Sequence, residues 1–370
     1  MAPLLLVIGL GGMVEFGLRF VRSRRSSVQF WGAWQLPSPK ALSFRNHPYA
    51  LYVKTPNADG LYPSNSLGYS GKREFSMERH PNSVRIYCVG GSTTEGHVPS
   101  QGPDSSWPGQ VQDILARRFP HTTIECINAG TAGYTSAESL AEFIFRGIDL
   151  KPDLLLVYHN INDVLTCQMV EGFKTDYSHV RCHKPWTIGW INRIPQCPSW
   201  WTYQAVWNWL TMRYGKINAL LYWISDPPWS PVHDIDERAV YAFRRNITVL
   251  ATVARRWACT PVLIKWECSP AGDEFPSYLE HNPNTDELCR ALIQANNDGL
   301  QQIASQVEGC QYLDVGPFEP RHFETDGMHF SPQGLGEMAS RVANGIEPLV
   351  RSIVELQRSP VDAVSSPGAA

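Results

Sequence analysis

Ser92 stands in the segment Gly90-Gly91-Ser92-Thr93-Thr94-Glu95-Gly96, directly after an apolar run. Two glycines before a serine let the backbone turn sharply and leave the hydroxyl room for a carbonyl carbon to approach. Far downstream, Asp326-Gly327-Met328-His329 supplies what such a hydroxyl lacks. Serine is a poor nucleophile until a base takes its proton, and an imidazole suits that task. A carboxylate three residues before the histidine can hold the ring's tautomer and stabilise the imidazolium. Negative charge developing on the attacked oxygen needs fixed donors. The backbone N–H groups of Ser92 and Gly133 and the side-chain amide of Asn162 are the candidates. Glycine at 133 leaves no side chain to block the approach. The chemistry these residues suit is acyl transfer from an ester, with Ser92, Asp326 and His329 as triad.

Each segment has a plainer reading of its own. Ser92 could be a helix N-cap, as many serines after strands are. Asp326 and His329 could be a capping pair. His159 and His322 are rival histidines near the same edge, and His159 reads equally well as a buried, hydrogen-bonded ring. Glu95 and His97 read as surface residues beside the pocket. Asn246-Ile247-Thr248 matches a glycosylation sequon but falls within a predicted helix. A phosphate loop fails for want of Gly-Lys-Ser/Thr, and a dinucleotide loop for want of G-x-G-x-x-G.

The elements that must position these residues come from the hydrophobic pattern. Residues 84–89, 123–127, 154–158, 261–266 and 311–315 form short apolar runs. Helical spacing marks 107–119, 137–145, 236–257, 285–307 and 332–356. Uninterrupted apolar strands alternating with helices predict a parallel sheet covered on both faces, a three-layer α/β/α sandwich with five strands. Ser92, the glycine loop 128–135, Asn162 and the Asp326–His329 pair all follow predicted strands. In an open parallel sheet that carboxyl edge is where ligands bind.

These four blocks resemble those of the SGNH hydrolases, the GDSL-type esterases, named for a Ser, a Gly, an Asn and a His. The matching segments are Gly90-Gly91-Ser92-Thr93, residues 128–135 with Gly133, Asn162-Asp163, and Asp326-Gly327-Met328-His329. The resemblance covers roughly 81–164 and 235–356 and implies a flavodoxin-like fold, esterase activity and no cofactor or metal. It departs twice. Gly91 replaces the Asp usual before the serine. Asn160 replaces a Gly two residues before the Asn, an exchange that could narrow or reorient the oxyanion hole.

Between the third strand and the next helix lies an insertion, 165–234, of neither period. Eight of the chain's 13 tryptophans fall between residues 186 and 229. It reads first as a cap with its own aromatic core, and then as a lid for sugar rings or acyl chains, or as a membrane-interface surface. The remaining divisions are an apolar N-terminal segment (1–25), an extended arm with short strands (26–80), the hydrolase-like domain (81–356) and a tail (357–370) expected to be disordered. Residues 4–14 are apolar and are followed by Arg19, Arg22, Arg24 and Arg25. A spanning helix of about 20 residues would have to include Glu15 and Arg19. The favoured reading is a membrane anchor, with an amphipathic lead-in helix as the alternative, placing the protein at a membrane or outside the cytoplasm. A net charge of -3 gives no reason to expect a nucleic-acid partner. The nine cysteines show no zinc spacing, and Cys88, Cys126 and Cys259 read as buried thiols. The expected substrate is a small-molecule or glycan ester. Transfer of the acyl group to a sugar hydroxyl, or glycan or partner binding without catalysis, are the alternatives.

Overall fold

The computed structural model describes residues 44–47, 49–59, 62–96, 101–165, 173–177, 234–270 and 285–358, with positions 13, 14, 16 and 17 near the N-terminus. It opens with an antiparallel hairpin, β1 (Phe44–His47) and β2 (Leu51–Lys54). Five parallel strands follow: β3 (Ser83–Gly90), β4 (Thr123–Asn128), β5 (Leu154–Tyr158), β6 (Thr260–Ile264) and β7 (Gln311–Leu313). The helices are α1 (Ser92–Glu95), α2 (Trp107–Arg118), α3 (Ser136–Glu142), α4 (Ile161–Asp163), α5 (Glu237–Arg256), α6 (Thr285–Gln306) and α7 (Pro332–Arg358).

The central strands show why helices must cover both faces. Every residue of β3 is buried, and its side chains divide by parity. Val84, Ile86 and Cys88 pack with α2 and α7, whereas Tyr87 and Val89 pack with Phe243, Ile247 and Leu250 of α5. β5 repeats the division, Leu154 and Leu156 against Leu155 and Val157. A strand apolar on both sides cannot face water on either. The third layer is completed by α6, which reaches one cluster through Leu292 and Ile293 and the other through Leu300 and Ile303.

The strand order is β4-β3-β5-β6-β7. The chain lays β4 on one side of β3 and then β5 on the other, so the winding reverses and a crevice opens at the carboxyl ends. Ser92 follows β3, Gly133 follows β4 and Asn162 follows β5. The strands predicted at 261–266 and 311–315 end early, at Ile264 and Leu313. Lys265 N still donates to Leu313 O, but Trp266 N turns to Asn297 Oδ1 (3.0 Å), and Asn297 Nδ2 donates back to Trp266 O. The helix predicted at 137–145 starts at Ser136, behind a capping box of Thr135 and Glu138, and ends in a wider π-type turn over Phe143–Gly147.

Among the described residues, no helix is long and apolar enough to cross a membrane. Residues 4–12 of the apolar run lie outside the described residues, as do 178–233 of the insertion with all eight of its tryptophans, and the tail from 359.

Candidate active site

Ser92 is the first residue of α1, and the capping position before it is Gly91, which contributes no side-chain bond. The N-cap reading of Ser92 is therefore not what the structure adopts. The residue after it is gripped from two sides. Trp107 Nε1 donates to Thr93 O (3.2 Å) and Trp266 Nε1 to Thr93 Oγ1 (3.5 Å), both indoles being fully buried. Such a floor fixes the turn that presents the serine.

His329 Nε2 lies 2.7 Å from Ser92 Oγ, and His329 Nδ1 lies 2.5 Å from Asp326 Oδ2. The carboxylate's other oxygen accepts from the backbone N–H groups of Met328 and His329, each at 2.9 Å. Burial acts to raise the pKa of Asp326, but the bond from His329 and the two backbone donors outweigh it and leave it below its ordinary value. The loop carrying the pair is pinned at several points. Glu324 N donates to His329 O and Ser269 N to Gly327 O. Phe330 stacks on Phe323 and on Tyr158 of β5, at 5.2 and 6.4 Å between ring centres. The loop after an edge strand is thus carried back over the middle of the sheet.

The glycine loop lies against the turn before Ser92: Thr131 N donates to Gly90 O (3.1 Å). Gly133 has φ +77°, the left-handed region that favours glycine. Asn162 Nδ2 donates to Tyr134 O (2.8 Å), and a Cβ placed on Gly91 would sit 2.3 Å from the same nitrogen. The Asn162 amide therefore lies against the peptide that leads into Ser92. Beside it, buried Asp163 accepts from Ser136 N, Ser136 Oγ and Tyr177 Oη. Burial pushes that carboxyl up to about 6. Asn160, whose exchange for Gly could narrow or reorient the hole, turns the other way. Its side chain is buried against α6, donating to Ile293 O (2.9 Å) and accepting from Asn296 Nδ2 (2.9 Å).

Sequence reasoning missed Glu95, Lys54, Tyr52 and Tyr134 here. Glu95, read as a surface residue, is buried and ion-paired with Lys54 of β2, which is buried as well. Its second oxygen accepts from Ala132 N (2.8 Å). Desolvation pulls the Lys54 ammonium down to about 7, and it lies 5.0 and 5.2 Å from the Phe44 and Tyr62 ring centres. Tyr52 Oη donates to Ala132 O (2.6 Å), and Tyr134 Oη donates to Tyr52 O. His97 lies outside the described residues.

Other candidates have structural roles. His159 is buried with Nε2 2.6 Å from Ser139 Oγ. His322 is buried too, its Nδ1 accepting from Glu319 N. Asn246 is buried and donates to Ser136 Oγ, so the sequon is inaccessible in the fold. Cys88, Cys126 and Cys259 are buried free thiols. Among the described residues no cluster of His, Cys, Asp or Glu could hold a metal ion.

None of the curated proteins matches this sequence. Similar solved structures include Axe2, an acetylxylan esterase from Geobacillus stearothermophilus, at 14% identity over 72% of this chain and 94% of that one, TM-score 0.41. The psychrotrophic esterase EstA from Pseudoalteromonas shares 13% over 73% and 99%, TM-score 0.41. A GDSL-like lipase from Bacteroides thetaiotaomicron shares 15% over 73% and 89%, TM-score 0.39. Residues 88–335 match the GDSL-like lipase/acylhydrolase family, and this stretch holds all four blocks. The chain belongs to that family and is a hydrolase of ester bonds.

Proposed function

We propose that the protein is a serine esterase that cleaves an O-acyl ester of a carbohydrate or lipid through an acyl-enzyme. The observation that carries this reading is the hydrogen-bonded chain from Asp326 through His329 to Ser92 at the carboxyl edge of the sheet. Ser92 Oγ attacks the ester carbonyl while its proton passes to His329 Nε2. The carbonyl oxygen, now negative, is held by the N–H groups of Ser92 and Gly133 and the amide of Asn162. Collapse breaks the bond to the alcohol, which leaves with the proton from His329. Water then attacks the acyl-serine, gives its proton to His329, and the acid departs as the proton returns to Ser92. Asp326 stays ionised and steadies the imidazolium.

The substrate class rests on the tryptophan-rich segment that begins next to Asn162 in sequence. Tryptophan offers flat faces for sugar rings and apolar area for acyl chains, and acetyl esters of sugars are the preferred case. The apolar run at 4–14 and the basic cluster after it support association with a membrane. The deciding experiment is labelling with a fluorophosphonate, followed by a screen of acetyl to long-chain esters with and without sugar acceptors. Label on Ser92 and release of free acid support the reading. Unlabelled folded protein, or full activity in Ser92→Ala, overturns it, and acyl transfer to added sugar makes the protein a transferase.

A further inference from the structure

We propose that Tyr52, on the N-terminal hairpin, is a positioning residue that sets the Gly133 donor of the oxyanion hole through the peptide joining Ala132 to Gly133. The inference rests on the reading of Gly133 as such a donor. The Ala132 carbonyl and the Gly133 N–H belong to one trans peptide plane and point in opposite directions. Whatever holds the carbonyl therefore aims the N–H. Tyr52 Oη holds it at 2.6 Å.

The preceding peptide is held as well. Ala132 N donates to Glu95 Oε2 (2.8 Å), and Lys54 secures the other oxygen of that carboxylate. Glu95 sits on the same short helix as Ser92, so nucleophile and donor share one support. Tyr52 and Lys54, two residues apart on β2, share one face of the strand, and Tyr134 Oη closes the contact by donating to Tyr52 O. Tyr52 itself packs edge-on against Phe44 and Tyr134, which fixes its ring. A positive φ at Gly133 leaves the loop other conformations, and the hairpin removes them. None of the hairpin lies within the family match, which starts at residue 88.

Tyr52→Phe removes the hydroxyl and keeps the ring packing. Its kcat should fall about 10-fold, with KM unchanged within about twofold, as for loosening one oxyanion donor. The discriminating readout compares an ester with its thionoester, whose sulfur is poorly held by an oxyanion hole. Tyr52→Phe should lower the oxo-to-thiono ratio of kcat/KM by a similar factor. An unchanged ratio, whatever happens to thermal stability, overturns the inference. Glu95→Gln, which loosens the neighbouring peptide, decides by the same ratio if Tyr52→Phe folds poorly. A wild-type oxo-to-thiono ratio no larger than that of uncatalysed hydrolysis would instead remove the underlying reading of an oxyanion hole, so the two failures are told apart.

Discussion

Gly91 and Asn162 occupy each other's space: a Cβ on Gly91 would stand 2.3 Å from Asn162 Nδ2. Its φ of -85° is open to any residue, so the contact alone demands glycine. A side chain at this place is thus coupled to the position of the Asn amide. Gly91→Asp should lower kcat by roughly 10²- to 10³-fold, as losing an oxyanion donor would. Because the amide is the movable partner, the protein should still fold. Steady-state kinetics at matched folded fraction provide the check; an active Gly91→Asp enzyme would show that Asn162 has no such task.

Asp326→Asn keeps an oxygen for the backbone donors of Met328 and His329 but loses the charge that steadies the imidazolium. We expect kcat to fall on the order of 10⁴-fold with little change in melting temperature. Calorimetry beside kinetics separates the two effects. A fall in stability matching the fall in rate would make Asp326 a turn-former only.

Asn160 and Asn162 are two residues apart and should fail differently. Asn162→Ala should cost kcat roughly 10²- to 10³-fold. Asn160→Ala removes two buried hydrogen bonds, to Ile293 O and from Asn296 Nδ2, and should cost stability, on the order of 2 kcal/mol. Its kcat per folded molecule should stay near the wild-type value. Urea unfolding and active-site titration of both variants distinguish the outcomes, and equal kinetic loss would place Asn160 in the hole after all.

Burial lowers the pKa of His159 to about 4, from 6.5 in an open chain. Between these values the unfolded chain binds the extra proton, so stability rises with pH up to about 6.5 and falls as pH drops below it. From pH 6.5 to 5 the loss attributable to His159 is about 2 kcal/mol. Asp163, raised to about 6, acts in the opposite direction between pH 3.8 and 6. The measurement is therefore the difference between wild type and His159→Gln in urea at the two pH values. A difference independent of pH would mean that His159 is not buried as a neutral ring.

The strands were legible because parallel strands buried on both faces must be apolar throughout, as 84–89 and 154–158 are. The Ser, Gly and Asn blocks were legible because each follows closely on a strand end, and strand ends converge. The His block is brought to them by a longer loop after β7. What escaped were contacts across great sequence distance. Tyr52 meets Ala132 80 residues away, and a lone lysine such as Lys54 reads as solvated by default. The hairpin turn gave no signal either, since it places Leu51 at φ 61° without an Asn-Gly or Asp-Gly pair. Asn160 was misjudged because the backbone turn into α4, rather than spacing, decides which way a side chain there points.

The hairpin also bears on where this enzyme can be cut. A recombinant domain begun at residue 81, where the α/β repeat starts, would retain Ser92, Gly133, Asn162, Asp326 and His329. It would nonetheless leave Glu95 as an unneutralised carboxylate in a pocket emptied of Tyr52 and Lys54. Expression trials for this protein therefore have their safe N-terminal limit ahead of Phe44. A shorter clone would carry every signature residue and still be a poor sample of the enzyme.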